Sequence, residues 1–295
     1  MLNKKSKIHI VFGPTASGKT DYAVQLAHKF DSVIINGDSM QIYKEIPIIT
    51  NQPTQSEKQG IPHLMFGYKS ILDHSDLNIW LNETVPIIKE NIEKNKVCIV
   101  SGGTGMYLKA LFDGISEIPI IPEEVKNKNR DLIKEIGNDE FYNLLTAKDP
   151  EVANKLKIGD AQRLCRAMDV IDFTGISIFQ WHKKPNKIFF DKELFEIHFL
   201  DKPRDEIYNK INKRFEKFVE IGALEEAKKA NEIFRSSGFS KEVIEALPAY
   251  KAHGLRELIS YLNGEISLED AINKGQQVTR NYAKRQITWW KGQMI

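Results

Sequence analysis

Apolar and polar positions follow two different rhythms along this chain. In the first third, short apolar runs alternate with segments of helical period. Ile8-His9-Ile10-Val11-Phe12 is a run of strand type, and Val33-Ile34-Ile35-Asn36 and Val97-Cys98-Ile99-Val100 are two more. Tyr22, Ala23, Leu26, Ala27 and Phe30 recur at helical spacing after the first run, and Trp80, Leu81, Val85 and Ile88 do so before the third. Strands alternating with helices predict a parallel sheet, whose ligands sit beyond the carboxyl ends of its strands.

The rhythm changes near residue 118. Residues 118–192 carry no convincing parallel-strand run. Pro122 and Pro150 stand at expected helix starts, with Asp149 as a cap. Gly159-Asp160 opens another helix, with Leu164, Ala167, Met168 and Ile171 on one apolar face. This section reads as a small helical insertion, 118–192, in a core made of 1–117 and 193–295. Phe195 to Leu200 then predicts a returning core strand. Asp201-Lys202-Pro203 starts a helix with Ile207, Ile211, Phe215 and Phe218 inward, stopped at Gly222. The remainder is helical, with Ser267 capping a helix and Asp270 three residues on.

Chemistry gathers where the strands end. The first runs into Gly13-Pro14-Thr15-Ala16-Ser17-Gly18-Lys19-Thr20, which reads G-x-x-x-x-G-K-T, the phosphate-binding loop. Gly13 and Gly18 allow a tight turn whose N–H groups face an anion. Lys19 brings an ammonium to the terminal phosphates, the Thr20 hydroxyl can ligate Mg²⁺, and the helix that follows adds its positive end. The fold class expected is therefore α/β, a P-loop NTPase-like parallel sheet flanked by helices. The loop signals a polyphosphate without saying whether it is a nucleotide such as ATP. Asp38 ends the second strand, where a carboxylate can help hold Mg²⁺ or accept a proton. Gly102-Gly103-Thr104-Gly105 ends the third, and could let a substrate approach the backbone.

Composition narrows the partners. The chain has 295 residues, 41% of them hydrophobic and 28% charged, with a net charge of only +2. The whole-molecule field is weak, so nucleic-acid binding requires a local patch. One runs from Ala271 to Ile295, with five basic residues and no acidic one. Arg280 with Lys284, and Asn281 with Arg285, are i, i+4 pairs that form a basic face near Gln277 and Tyr282. Trp289 and Trp290 read as packing residues. Gln162, Arg163 and Arg166 lie on the helix after Asp160. Arg166 points nearly opposite Leu164 and Met168 and is expected to be exposed.

The two cysteines, Cys98 and Cys165, form no C-x-x-C pair, so no zinc site is expected. Cys98 reads as a buried strand residue. The histidines show no metal-ligand spacing, and His63 after Pro62 is the one to watch. Cysteine usage, the lack of a signal peptide and the lack of a membrane-length run predict a cytoplasmic protein without a membrane partner.

In this order, the segments resemble the bacterial-type tRNA dimethylallyltransferases, also called tRNA isopentenyltransferases. The pieces are Gly13 to Thr20, Asp38-Ser39-Met40-Gln41-Ile42-Tyr43, Pro62-His63 and Gly102-Gly103-Thr104-Gly105-Met106-Tyr107. Further on come Asp160-Ala161-Gln162-Arg163-Leu164-Cys165-Arg166-Ala167 and Ala283-Lys284-Arg285-Gln286-Ile287-Thr288-Trp289. The resemblance implies transfer of a dimethylallyl group from dimethylallyl diphosphate to N6 of adenine 37, beside the tRNA anticodon, with Mg²⁺ as cofactor. It implies that the loop binds the diphosphate of the donor, so an ATP-binding label would rest on the loop alone. Asp38 becomes the base, Lys19 and Arg214 assist at the diphosphate, and Thr104 lines the passage where adenine meets donor. Ser39, Met40 and Gln41, with Gln162, Arg163, Leu164, Cys165 and Arg166, would hold the flipped base and its neighbours. The insertion and the basic face of Arg280, Lys284 and Arg285 would grip the anticodon arm.

The chain departs from the family's pattern at Ile49, at Leu64, at Lys126, where the family has an arginine near RNA, and around Ala249-Tyr250. A monomer is expected. The rival readings are an ATP-dependent small-molecule kinase, a prenyltransferase acting on free adenine nucleotide, and a nucleotide-gated RNA-binding protein without catalysis.

Overall fold

A computed structural model describes residues 7–293. In chain order the first elements are β1 (Ile8–Phe12), α1 (Lys19–Ala27), β2 (Ser32–Asn36), α2 (Gln55–Lys58), β3 (His63–Leu64), α3 (Leu77–Glu93), β4 (Val97–Gly102) and α4 (Gly105–Asp113). Then follow α5 (Glu123–Lys148), α6 (Ala161–Thr174), α7 (Ile178–Trp181), β5 (Phe195–Phe199), α8 (Arg204–Glu220), α9 (Ala223–Ser236), α10 (Lys241–Ala246), α11 (Leu255–Leu262) and α12 (Leu268–Gln293). The chain divides into two compact units, Met1–Phe112 with Phe189–Ile295, and Asp113–Ile188.

The first unit is built on five parallel strands in the order β3-β2-β4-β1-β5. The three strands with continuous apolar runs occupy the middle and are buried throughout. Parallel strands covered by helices lack the alternation of a half-exposed sheet, which is why their sequences read as unbroken runs. β5 pairs with β1 at the edge and is only half-buried, so the returning strand is an edge strand rather than a core one. β3 was not expected at all. Its two residues are too few to show any period, and it pairs with β2 at Ile34–His63 and Ile35–Leu64.

Side chains from the helices fix the carboxyl ends of these strands. Trp80 of α3 is fully buried, stacks on Tyr107, and donates its indole N–H to the carbonyl of Asn36 at 2.9 Å. Burying so large a ring contributes a few kcal/mol, and its one polar atom is satisfied. A second apolar cluster joins Ile42, Tyr43 and Ile46 to α9 and α11. Beside it the Glu226 carboxylate accepts from the Ile48 and Ile49 N–H groups at 2.7 and 2.9 Å, which ties down the loop that departs from the family at Ile49. Ala249, another departure, is fully buried in the same cluster.

The helical unit packs α5 against α6 through Ile133, Phe141, Leu145, Leu164, Ala167 and Met168. Gly137, at φ 80°, kinks α5. Asp160 caps α6 by accepting from the Arg163 N–H at 3.2 Å. Pro150 opens a single 3-10 turn, with the Asp149 carboxylate accepting from Glu151 N–H at 3.2 Å. Two expectations change here. Leu164 is fully buried in this core, so its side chain serves packing rather than an exposed RNA-facing surface. Arg166 is half-buried rather than exposed, near enough to the buried Asp169 carboxylate one turn on and to His182 for its charge to act on both. A helical wheel counts only the helix's own faces and leaves out a group such as His182 that another segment brings near.

Candidate active site

The phosphate loop joins β1 to α1, with Gly18 at the N-cap position (φ 92°). A Cβ on Gly13 would lie 2.6 Å from the Leu200 carbonyl oxygen, so only glycine lets the loop pass the end of β5. Not all the N–H groups turn inward as the motif implies. Ser17 N–H donates to Pro14 C=O at 3.2 Å, and Thr15 N–H donates to the Gln286 side-chain oxygen at 2.8 Å. The anion site is left to the first turn of α1, whose N–H groups have no intrahelical acceptor. Pro14 and Ser17 are buried, and the Ser17 hydroxyl has no partner. Ala16 takes a left-handed φ of 64°.

Two cations meet at this loop. Lys19 Nζ donates to the carbonyls of Gly13 and Pro14 at 3.0 and 2.7 Å. Arg214 of α8 donates to Thr15 Oγ1 at 2.7 Å. Burial pulls Lys19 down to about 8 and Arg214 to about 10, and the charge of Asp38 works against both shifts. The Arg214 charge lowers Lys19 further. Two cations and one carboxylate in a desolvated loop leave an excess positive charge that a bound polyanion offsets.

Asp38 follows β2 in a hydrogen-bonded turn. Its N–H donates to Asn36 Oδ1 at 2.8 Å, and its Oδ1 accepts from Met40 N–H at 2.9 Å. That leaves Oδ2 toward Gly103, where an added Cβ would come within 3.1 Å of it. Thr104 Oγ1 accepts from the Ser39 N–H at 2.9 Å and donates to Ser39 Oγ at 3.2 Å. Tyr282 of α12 stands beside the side chains of Thr104 and Gln286. Burial, with the Asp38 charge, holds its phenol well above the ordinary value. Gln286 completes the arrangement by donating from Nε2 to Gly103 C=O at 2.8 Å. One buried amide therefore connects the phosphate loop to the glycine turn.

Asp38, Ser39, Tyr282 and Gln286 line a cavity of about 520 Å³ at the carboxyl ends of the strands. Its lining also includes the polar Lys19, Thr20 and Arg214 and the apolar Ile49, Phe66, Phe215 and Phe218. The Thr20 hydroxyl and Asp38 carboxylate are hard oxygen donors, the type Mg²⁺ takes alongside phosphate oxygens and water. His63 and His253 also line it, and burial lowers both below the ordinary histidine value. The buried Nε2 of His253 has no partner. Sequence reasoning assigned no role to Phe215 and Phe218 beyond inward packing, to His253 or to Gln286. Only Gln286 had a signal, as a member of the Ala-Lys-Arg-Gln segment.

The fold thus brings Gly13 to Thr20, Asp38, Ser39, Thr104 and Arg214 together. Gln41 uses its amide donors on the carbonyls of Thr50 and Asn51, at 3.1 and 2.7 Å, and Met40 packs on the second apolar cluster. In the helical unit Gln162 and Arg163 are exposed, and Cys165 is half-buried with its thiol 3.9 Å from the Asn129 carbonyl. Lys126 pairs with Glu123 at 2.6 Å. On α12, Lys284 and Arg285 are exposed, whereas Arg280 is half-buried and bonds Asn212 and Gln277 at 2.5 and 2.7 Å. Trp290 is fully buried against Phe12, and Trp289 packs on Gly105. Among the described residues, no helix is long and apolar enough to cross a membrane.

Comparison with known proteins extends this site to a family. The profile of the family described as IPP transferase matches residues 41–293. The tRNA dimethylallyltransferase of Wolbachia pipientis is 40% identical over 290 residues, which cover 98% of this chain and 93% of that protein. That of Ehrlichia chaffeensis is 40% identical over 289 residues, covering 98% and 91%. Among solved structures, a eukaryotic dimethylallyltransferase acting on tRNA superposes with a TM-score of 0.83 at 30% identity, over 97% of this chain and 70% of that one. A full-length tRNA isopentenylpyrophosphate transferase from Bacillus halodurans gives 0.67 at 29%, over 99% and 88%.

Proposed function

Since the chain belongs to the IPP transferase family, we propose that it moves the dimethylallyl group of dimethylallyl diphosphate onto N6 of adenine 37 in tRNA. The observation that carries this reading is the pair of half-buried cations, Lys19 and Arg214, at a phosphate loop whose cavity is also lined by the Asp38 carboxylate and by apolar side chains. The two cations and the first turn of α1 suit a diphosphate. The wall of Ile49, Phe66, Phe215 and Phe218 suits a branched five-carbon chain.

The reaction forms a bond between N6 and allylic C1 and breaks the bond from C1 to the diphosphate oxygen. The electron pair leaves with the diphosphate. Adenine N6 is a poor nucleophile because its lone pair is delocalised into the ring, so the leaving group has to be stabilised strongly. Lys19 and Arg214 meet the charge that develops on it. Asp38, with Oδ1 held by Met40 N–H, has Oδ2 available to take the N6 proton. Thr104, held by Ser39 beside the Asp38 turn, orients the adenine. The Thr20 hydroxyl would help hold Mg²⁺, which would supply further neutralisation of the leaving group.

The adenine reaches this cavity only when it leaves its stack. We assign the phosphate grip to Lys284 and Arg285 on α12, and to Gln162 and Arg163 on α6, all exposed. The protein is read as a cytoplasmic monomer, working where tRNA is found.

The test combines purified protein, Mg²⁺, unmodified tRNA with adenine at position 37, and radiolabelled dimethylallyl diphosphate. Label mapped by nuclease digestion to N6 of that adenine is the expected result. Label accepted by free adenosine monophosphate but not by tRNA overturns the acceptor. Absence of transfer to either by folded protein overturns the reaction.

A further inference from the structure

The sheet carries a second cluster of ionisable groups, under α1, that the transfer reaction does not use. His9 lies on β1, and Glu196 and His198 lie on β5. The parallel register opposes His9 to Glu196 and Val11 to His198, so all three side chains come out on one face. His9 Nδ1 and His198 Nε2 are 2.9 Å apart, and the rings are stacked with centroids 5.2 Å apart. The Glu196 carboxylate straddles the pair, with Oε2 at 4.0 Å from His9 Nδ1 and Oε1 at 3.8 Å from His198 Nε2. One ligand atom from each residue fits within a sphere of mutual distances under 4.8 Å.

Three further observations distinguish this cluster from a hydrogen-bonded histidine pair. Glu196 Oε2 is buried and has no hydrogen-bond partner, a costly arrangement for a carboxylate oxygen. His9 is 1% exposed and roofed by Phe30, so its ring cannot turn away to water. His198 Nδ1 meets the Tyr22 hydroxyl at 3.0 Å, the outer-shell contact that orients a ligating imidazole. Both rings are held below the ordinary histidine value, chiefly by burial, which keeps a lone pair available at neutral pH.

We propose that His9 Nδ1, His198 Nε2 and the Glu196 carboxylate form a binding site for a divalent first-row transition ion of the Zn²⁺ type. Two imidazoles and one carboxylate suit such an ion and are poor ligands for Mg²⁺. Bonds of about 2.0–2.1 Å around a tetrahedral centre put ligand atoms roughly 3.3 Å apart. One carboxylate oxygen and the two nitrogens already lie within 4.8 Å of one another, the nitrogens at 2.9 Å, so small side-chain shifts bring them to that value. The proton shared between the rings moves to the outer nitrogen of its own ring, which for His198 faces the Tyr22 oxygen. A bound ion joins the edge strand β5 to β1. β5 continues through Leu200, whose N–H bonds the Phe12 carbonyl at 2.8 Å, toward α8 and Arg214. The site is therefore a clamp beneath the phosphate loop, outside the chemistry itself.

The test uses the full chain after chelator treatment, with Cys165→Ser to remove the half-exposed soft donor. Zn²⁺ is titrated by calorimetry, and Co²⁺ is added separately as a spectroscopic probe. The expected result is one equivalent of Zn²⁺ bound with micromolar affinity or tighter, and a Co²⁺ spectrum of tetrahedral intensity without thiolate charge transfer. Saturating Zn²⁺ should raise Tm by several degrees. Tyr22→Phe, by losing the outer-shell contact, should weaken binding by about 10–100-fold. Glu196→Gln, on the solvent-reachable edge, should weaken it at least as much, and His198→Ala should abolish it. Far-UV circular dichroism checks each fold, and if His198→Ala unfolds, Glu196→Gln and Tyr22→Phe decide. Unchanged affinity in those two variants, or no stoichiometric Zn²⁺ binding by the parent, overturns the site.

Discussion

The inner and outer faces of α12 use the same 26-residue helix to handle polarity in opposite ways. On the inner face the buried polar side chains are Gln276, Thr279 and Gln286, and each has partners. Gln276 donates to the Asn212 carbonyl and to Glu216 at 3.2 and 3.1 Å, Thr279 bonds back to Gly275 at 2.7 Å, and Gln286 joins two loops. On the outer face Lys284, Arg285 and Lys291 stand in solvent. A buried polar group acts through geometry, because an unmade bond there costs about 1–3 kcal/mol. An exposed charge acts through the field, which salt screens and neighbouring charges share. Under the function proposed above, the same sequence segment would carry one residue that positions the chemistry and others that only attract the substrate.

The sharpest way to separate the two is to remove the group that the inner face helps to aim. Asp38→Ala takes away the proposed base and leaves every cation of the outer face. Turnover should fall by about 10²–10⁴-fold, the usual contribution of a positioned base, while tRNA affinity stays within a few-fold. Single-turnover rates at saturating tRNA, set beside filter-binding constants, separate these effects. Lost binding with a normal single-turnover rate constant would assign Asp38 to the grip instead.

Gln286→Leu tests the inner face itself at nearly constant shape. It leaves the Thr15 N–H and the Gly103 carbonyl without their partner, at about 1–3 kcal/mol each. The single-turnover rate constant should drop by about 10–100-fold, corresponding to part of that energy appearing in the barrier. The slope of tRNA affinity against salt should not move. A variant that lowers Tm yet keeps the parent rate constant would make the amide a packing residue only.

What the sequence reveals follows the same division. The phosphate loop was legible because its chemistry is local: eight consecutive residues carry the turn, the cation and the hydroxyl. The central strands were legible because burial on both faces writes continuous apolar runs. Gln286 was quoted within a motif but had no visible role, since its partners at Thr15 and Gly103 are 271 and 183 residues away. His9, Glu196 and His198 escaped for a related reason. Their spacing along the chain means nothing until β5 is laid in register beside β1. The errors on α6 are of another kind. Leu164 sits inside an RNA-family segment yet serves the helical core, and Arg166 looked exposed because periodicity sees one helix at a time. A motif marks which residues belong together, and it does not say which of them face inward.

The smallest effect should come from the outer face, and its form matters more than its size. Lys284→Ala with Arg285→Ala removes two exposed charges and no described packing beyond Arg285 near the Tyr282 ring, 5.9 Å from its centroid. Affinity for tRNA at low salt should weaken by about tenfold. Two lost phosphate contacts should reduce the slope of log affinity against log salt by about 1.4–1.8. The weakening should therefore shrink as salt rises, whereas the Gln286→Leu defect should be the same at every ionic strength. The loss should also appear in tRNA affinity rather than in the single-turnover rate constant. If the double variant keeps the parent slope, its charges do not meet the RNA backbone, and the basic stretch of α12 is a solvated face. If the slope falls as expected, the helix has two separable roles on consecutive residues, with position supplied from within and attraction from without.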